Sequence, residues 1–213
     1  MMLSGIKKLI SISSESICQN CNPRPSEISG FSGRRLDELN DLLRMKNGFY
    51  AFESALHVFP TECYPQAIDI EFWNYSNNWK DKYDALLNQI LFFAEDVFGE
   101  QFGISGDQII RFIPETGETV PFSGSLEEWA AKILDDFAFE TGYDLATKWQ
   151  KLNGLIPFGT RLLPVRPFFL GGKFEIDNLY AVEAFEGMKF RADIWRQTKD
   201  LPDGSEIELR IVE

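Results

Sequence analysis

The stretch Ile90-Leu91-Phe92-Phe93-Ala94-Glu95-Asp96-Val97-Phe98-Gly99-Glu100-Gln101-Phe102-Gly103-Ile104 decides the fold class. Ile90 to Ala94 is a short unbroken apolar run, the length of a buried strand. Phe98-Gly99 supplies a turn, and Gln101 to Ile104 alternates as a second strand. Outward from there, Gly106-Asp107 turns into Gln108 to Ile113, and Thr116-Gly117-Glu118 turns into Thr119 to Phe122. Short runs separated by glycine-containing turns predict an antiparallel meander. Ser125-Leu126-Glu127-Glu128 then reads as a capping box, in which the hydroxyl meets an early N–H and a glutamate reaches back. Leu126, Trp129, Ala130, Ile133, Leu134 and Phe137 follow at helical period.

On the N-terminal side, Leu36, Leu39, Leu42 and Leu43 share one helix face, closed by Asn47-Gly48. Phe49 to Phe59 reads as a strand with turns. Trp79, Tyr83, Leu86 and Leu87 have the spacing of a short helix. Residues 11 to 33 are rich in Ser, Asn, Pro and Gly, so residues 1–32 are expected to be a flexible arm. Towards the C-terminus, Gly142 is expected to break the capped helix, and Tyr143 to Leu152 to form another that ends at Asn153-Gly154. Pro157 to Gly172 reads as a Pro- and Gly-rich crossover. A strand is expected over 179–185, a helix over 188–197 and a last strand over 207–212. Strands and helices are partly segregated, so the expected class is α+β, with 33–213 either one domain with an elaboration or two small ones.

Composition narrows the function classes. The chain has 213 residues, 44% of them apolar and 25% charged, which are ordinary globular proportions. At this length about 70% of the unfolded surface can be buried, and neither a metal nor disulfides are needed to hold the fold. Twenty-one Lys and Arg against 33 Asp and Glu give a formal charge of −12. Such a surface repels nucleic acid and anionic lipid and would attract a basic protein, although plain solubility is the favoured explanation. No run approaches the roughly 18 apolar residues of a membrane span. The N-terminal ten residues lack the apolar core of a signal peptide, so a cytoplasmic protein is expected.

Candidate chemistry is sparse. His57 is the one histidine, so a triad or a histidine base must pass through it. It lies in the apolar run Ala55-Leu56-His57-Val58-Phe59, which favours a hydrogen-bonded core role. Cys18-x-x-Cys21 with His57 and Cys63 could supply three thiolates and one imidazole to zinc. The second pair lacks a knuckle turn, so reduced thiols without metal are the expectation. Glu95 and Asp96 follow the central strand and offer metal-binding or acid–base groups. Neighbouring strand residues face opposite ways, however, and a turn-fixing carboxylate is favoured. There is no G-x-S-x-G, P-loop or G-x-G-x-x-G. Phe72, Trp73, Tyr75 and Trp79 interrupt a stretch containing Asn74, Asn77 and Asn78. Aromatics among amides fit a recognition loop, and Trp73, Tyr75 and Trp79 are the candidate anchors; equally, they fit a cover over the open end of the sheet.

Trp79, the run from Ile90 to Phe102, the glycine-turn hairpin and Ser125 to Trp129 together resemble the SUKH superfamily. That group contains the yeast Smi/Knr cell-wall regulators, the bacterial Syd protein and many bacterial immunity proteins. The likeness is specific over 79–133 and weaker over 33–60, and residues from about 155 exceed the common core as an extension. It implies a single α+β domain with a central antiparallel or mixed sheet, helices packed on one side, no cofactor and no catalysis. It further implies a protein partner: for an immunity protein a cognate toxin, here expected to be basic, and for a Smi/Knr-type regulator a component of cell-envelope synthesis. On this reading Glu95 and Asp96 join Trp73, Tyr75 and Trp79 as candidate partner-binding residues.

Overall fold

The computed structural model describes residues 4–19, 30–83, 85–202 and 204–206. Six strands follow one another in chain order: β1 (Phe49–Ala51), β2 (Leu56–Val58), β3 (Leu91–Asp96), β4 (Gln101–Ser105), β5 (Gln108–Ile113) and β6 (Glu118–Ser123). Every pairing is antiparallel, so the expected meander extends at its N-terminal side by the β1–β2 hairpin. The turns need positive φ, which Gly99, Gly106 and Gly117 supply without a Cβ clash.

β3 is buried along its whole length, as expected of a strand covered on both sides. Phe102 packs on Phe122 and on Trp129 of α4 (Leu126–Asp135), and Phe93 reaches the same indole. α2 (Arg34–Met45) joins this layer: Glu38 Oε2 accepts the Leu126 N–H at 3.0 Å. On the other face, Phe92 and Phe112 meet Trp79, which touches Trp73 at the end of α3 (Ile70–Trp73). Helices therefore flank both faces of the sheet rather than one. The physical reason is the aromatic content of both faces of β3 to β5, which a single helical layer cannot cover.

Ser125 accepts the Glu128 N–H, and Glu128 in turn accepts the Gly124 N–H at 2.8 Å, so the capping box forms with its return bond one residue early. Gly142, at φ +70°, separates α5 (Phe137–Thr141) from α6 (Tyr143–Asn153). Two 3₁₀ turns, Lys80–Lys82 and Ala85–Gln89, replace the helix expected around Tyr83.

Three expectations change. Residues 5–11 are not part of a loose arm: α1 (Gly5–Ser11) buries Leu9 completely, and Glu127 of α4 accepts the Gly5 and Ile6 N–H groups at its N-terminus. Residues 14–18 run beside β1, where Ser14 N–H donates to Tyr50 O at 2.7 Å and Ile17 N–H to Gly48 O at 2.9 Å. The Pro- and Gly-rich crossover contains a strand, β7 (Thr160–Pro164), which pairs with β8 (Leu179–Glu183) as a separate two-stranded sheet. α7 (Ala184–Thr198) follows and sends Met188, Ala192 and Trp195 into the main core, so residues 160–198 are integral to the fold. The strand expected over 207–212 lies outside the described residues.

Candidate functional site

The register of β1 to β4 lines up four polar side chains. Tyr50 lies opposite His57, His57 opposite Glu95, and Glu95 opposite Gln101. Opposed residues in a ladder share a face, so hairpin pairing alone assembles this row. Tyr50 and His57 stack with ring centroids 4.4 Å apart. His57 Nδ1 lies 3.1 Å from Glu95 Oε1, and Gln101 Nε2 donates to Glu95 Oε2 at 3.1 Å. At the far end, Trp73 Nε1 donates to Gln101 Oε1 at 2.8 Å. Arg161 of β7 closes over the row: its Nε donates to Glu95 Oε1 at 2.8 Å, and its guanidinium lies 5.3 Å from the Tyr50 ring centroid.

Apart from the half-buried Tyr50, the row is out of water, with Glu95 1% and His57 5% exposed. Burial pushes the Glu95 carboxyl up, but the Arg161 charge and the bonds from His57 and Gln101 outweigh it and hold the pKa below the ordinary value. His57 is driven down to about 4, mainly by burial, against the opposing hydrogen bond to Glu95. At neutral pH the cluster is thus Glu95 carboxylate, Arg161 guanidinium and a neutral imidazole with its proton on Nδ1. Among the described residues, His57 Nε2 and Arg161 Nη2 have no hydrogen-bond partner. The His57–Glu95 pair has the composition of a base and its orienting carboxylate, and both side chains are buried. Its chemistry is that of an internal clamp joining the β7–β8 sheet to the main sheet.

This clamp has a pH signature. A histidine whose folded pKa lies below its unfolded value contributes stability that is fully present above about pH 6.5 and is lost as pH falls towards 4. The loss attributable to His57 is up to about 3 kcal/mol. Asp96, whose pKa is raised, acts in the opposite sense, so the difference between two proteins is the useful measurement. Urea denaturation of His57→Gln and the parent across that range should show the parent losing more stability. Parallel curves would mean that His57 is not held neutral.

The other sequence-identified residues divide cleanly. Asp96 faces away from Glu95, and its Oδ1 accepts the Glu100 N–H at 2.8 Å, fixing the β3–β4 turn as anticipated. Its carboxyl is raised well above the ordinary range by burial and by the Glu100 charge. Trp73 and Trp79 are completely buried and cannot anchor a partner; Tyr75, 59% exposed, can. The surrounding amides explain the misreading, because they serve the protein's own backbone. Asn74 bonds both the N–H and the carbonyl of Phe92, and Asn78 donates to Phe72 O.

The candidate zinc ligands among the described residues do not converge. His57 turns Nδ1 to Glu95, Cys63 is a buried free thiol, and Cys21 lies outside the described residues. Cys18 is disulfide-bonded, which corrects the expectation of a reduced thiol there. Among the described residues no group of three or more His, Cys, Asp or Glu is placed to hold a metal ion. No helix among them is long and apolar enough to cross a membrane.

Sequence reasoning missed Arg161 and Gln101. The signal for Arg161 was Arg161-Leu162-Leu163, a short apolar run inside the Pro- and Gly-rich segment. Also missed were the exposed apolar side chains of the segment from α6 through β7 to β8: Leu152, Leu155, Phe158, Val165 and Phe174.

No family model and no curated protein matches the chain. Among solved structures the fold is similar to that of Atu4351 from Agrobacterium tumefaciens, with 14% sequence identity over 80% of this chain and 82% of that one and a TM-score of 0.53. At that identity the likeness carries the fold alone: an α+β domain built on a six-stranded antiparallel sheet with a small two-stranded sheet beside it.

Proposed function

We propose that the chain is a non-enzymatic protein-binding module of SUKH type, an immunity protein that neutralises a basic cognate toxin in the cytoplasm. The observation that carries this reading is the set of exposed apolar side chains over 152–174 on a protein of net charge −12, with Leu155 86% exposed. Apolar groups in water on a chain of net negative charge suit a contact that is steered by charge and held by desolvated anchors. The candidate catalytic groups support the same reading, since His57 and Glu95 are committed to an internal clamp.

The test is capture from the lysate and secretions of the source organism with the tagged protein as bait. The expected catch is a basic protein with toxin activity that the bait suppresses, and its association slows as salt shortens the Debye length below about 8 Å. Leu155→Asp and Tyr75→Ala should each raise the off-rate, the first by about tenfold or more, with melting temperature unchanged. Capture of a cell-envelope synthesis component would favour the rival reading, a Smi/Knr-type scaffold or regulator. A neutral, salt-insensitive partner would overturn the electrostatic part.

A further inference from the structure

Away from the Glu95 row, three turns meet: Phe98 from the β3–β4 turn, Glu115 from the β5–β6 turn, and residues 168–174 between β7 and β8. They enclose a cleft of about 190 Å³ whose lining includes Phe98, Phe168, Phe174, Glu100, Glu115 and Arg191. Small-molecule pockets run to roughly 300–1,000 Å³, so this one is the size of a single side chain. The rings of Phe168 and Phe174 stack at 3.9 Å, and Phe98 stands edge-on to both, at 5.5 and 6.1 Å. Glu115 Oε2 accepts the Phe169 N–H at 3.1 Å, which pins that carboxylate to the wall.

The charges around the cleft do not cancel. Arg111 is committed to Glu100 at 3.4 Å and to Glu140 at 3.0 Å. Arg191 is tied to the Phe98 carbonyl and faces Asp96, Glu100 and Glu115. Of the residues that line the cleft, two carboxyls, Glu100 and Glu115, face one guanidinium, Arg191. Burial raises the carboxyls of both Glu100 and Glu115 by desolvation, against the pull of the arginines and of the Phe169 N–H, and a cation brought beside them would favour their charged forms. Aromatic faces beside a carboxylate attract a cation within about 6 Å of a ring centroid.

We infer that this cleft is a recessed site for one cationic side chain, an arginine or a lysine, presented by a basic partner protein. The inference rests on the protein-binding reading above for its occupant, while the cleft's chemistry is testable alone. The probe is N-acetyl-arginine amide, titrated into isotopically labelled full-length protein and followed by amide chemical shifts. N-acetyl-citrulline amide serves as the neutral isostere and N-acetyl-aspartate amide as the anion.

Saturable shifts at Phe98, Gly99 and residues 168–171 are expected with the arginine probe. They should weaken at least fivefold in Glu115→Gln, which keeps the acceptor for Phe169, and in Phe174→Ala, whose ring is already 63% exposed. Both variants should melt like the parent. An equal response to citrulline, a preference for the aspartate probe through Arg191, or indifference to Glu115→Gln would each overturn the assignment. If the bait captures a basic partner while the arginine probe fails, the cleft assignment falls and the protein-binding reading stands. If the probe binds and capture fails, the reverse holds.

Discussion

Trp79→Ala is expected to destabilise the protein by about 3–5 kcal/mol, the usual cost of deleting a fully buried tryptophan. The indole is 0% exposed and touches Trp73, Tyr83, Phe92 and Phe112, and its Nε1 donates to the Trp73 carbonyl at 3.0 Å. Alanine would leave a cavity between the sheet and the layer formed by α3 and α7, and an unpaired carbonyl within it. Domains of this size typically have about 5–15 kcal/mol in hand, so roughly a fifth or more of the total is at stake. Thermal unfolding should shift down by about 10 °C. Tyr75→Ala, four residues earlier and exposed, should change stability by no more than about 0.5 kcal/mol. If Trp79→Ala melted with the parent, the aromatic layer over Phe92 and Phe112 would not be packed as described.

A loss of similar size is expected for Arg161→Ala, about 3–5 kcal/mol, because removing one partner of a buried pair strands the other charge. Glu95 would then keep only its neutral donors, His57 and Gln101, in a site that excludes water. Replacing both charges, as in Glu95→Leu with Arg161→Leu, should recover much of the loss, since a buried ion pair contributes little beyond an apolar pair of similar volume. The double-mutant cycle by urea denaturation gives the coupling directly. A cost below about 1 kcal/mol for the single change would mean that the pair is solvated like a surface salt bridge. The folded pKa of Glu95 is depressed, so the stability from this pairing is present above the unfolded value near 4.3 and is lost as pH falls through the folded value. That window lies below the one set by His57, and the two can be told apart.

The meander was legible because three glycine-containing turns punctuate runs of strand length, and α4 because a hydroxyl and a glutamate stand three residues apart before an apolar face. What stayed hidden has a common physical origin: polar residues that look solvent-facing in the sequence are spent inside. Asn74 and Asn78 satisfy the backbone around Trp73 and Trp79, so two core tryptophans read as a recognition loop. Arg161 neutralises Glu95 in the interior, so β7 reads as part of a crossover. The two-sided helical cover was legible in principle, because Ile90 to Ala94 does not alternate, and a strand exposed on one face would. Ile6, Leu9 and Ile10 likewise carry the helical spacing of α1 in a segment judged by its serines. The exposed side chains over 152–174 have no period at all, and only the folded chain shows which of them water reaches.

An open six-stranded sheet ends in two unpaired margins, each a template on which another chain could polymerise. Here both are blunted by different means. Residues 14–18 lie along β1 and take up hydrogen-bonding groups of Gly48 and Tyr50, so an incoming strand would first have to peel them away. At the opposite margin, β6 carries Pro121, which offers no N–H, and the carbonyl of Phe122 is already claimed by Lys132 Nζ at 2.6 Å. A protein so guarded can display greasy side chains on its loops at high concentration without its sheet seeding fibrils, leaving association to the loops rather than to the backbone.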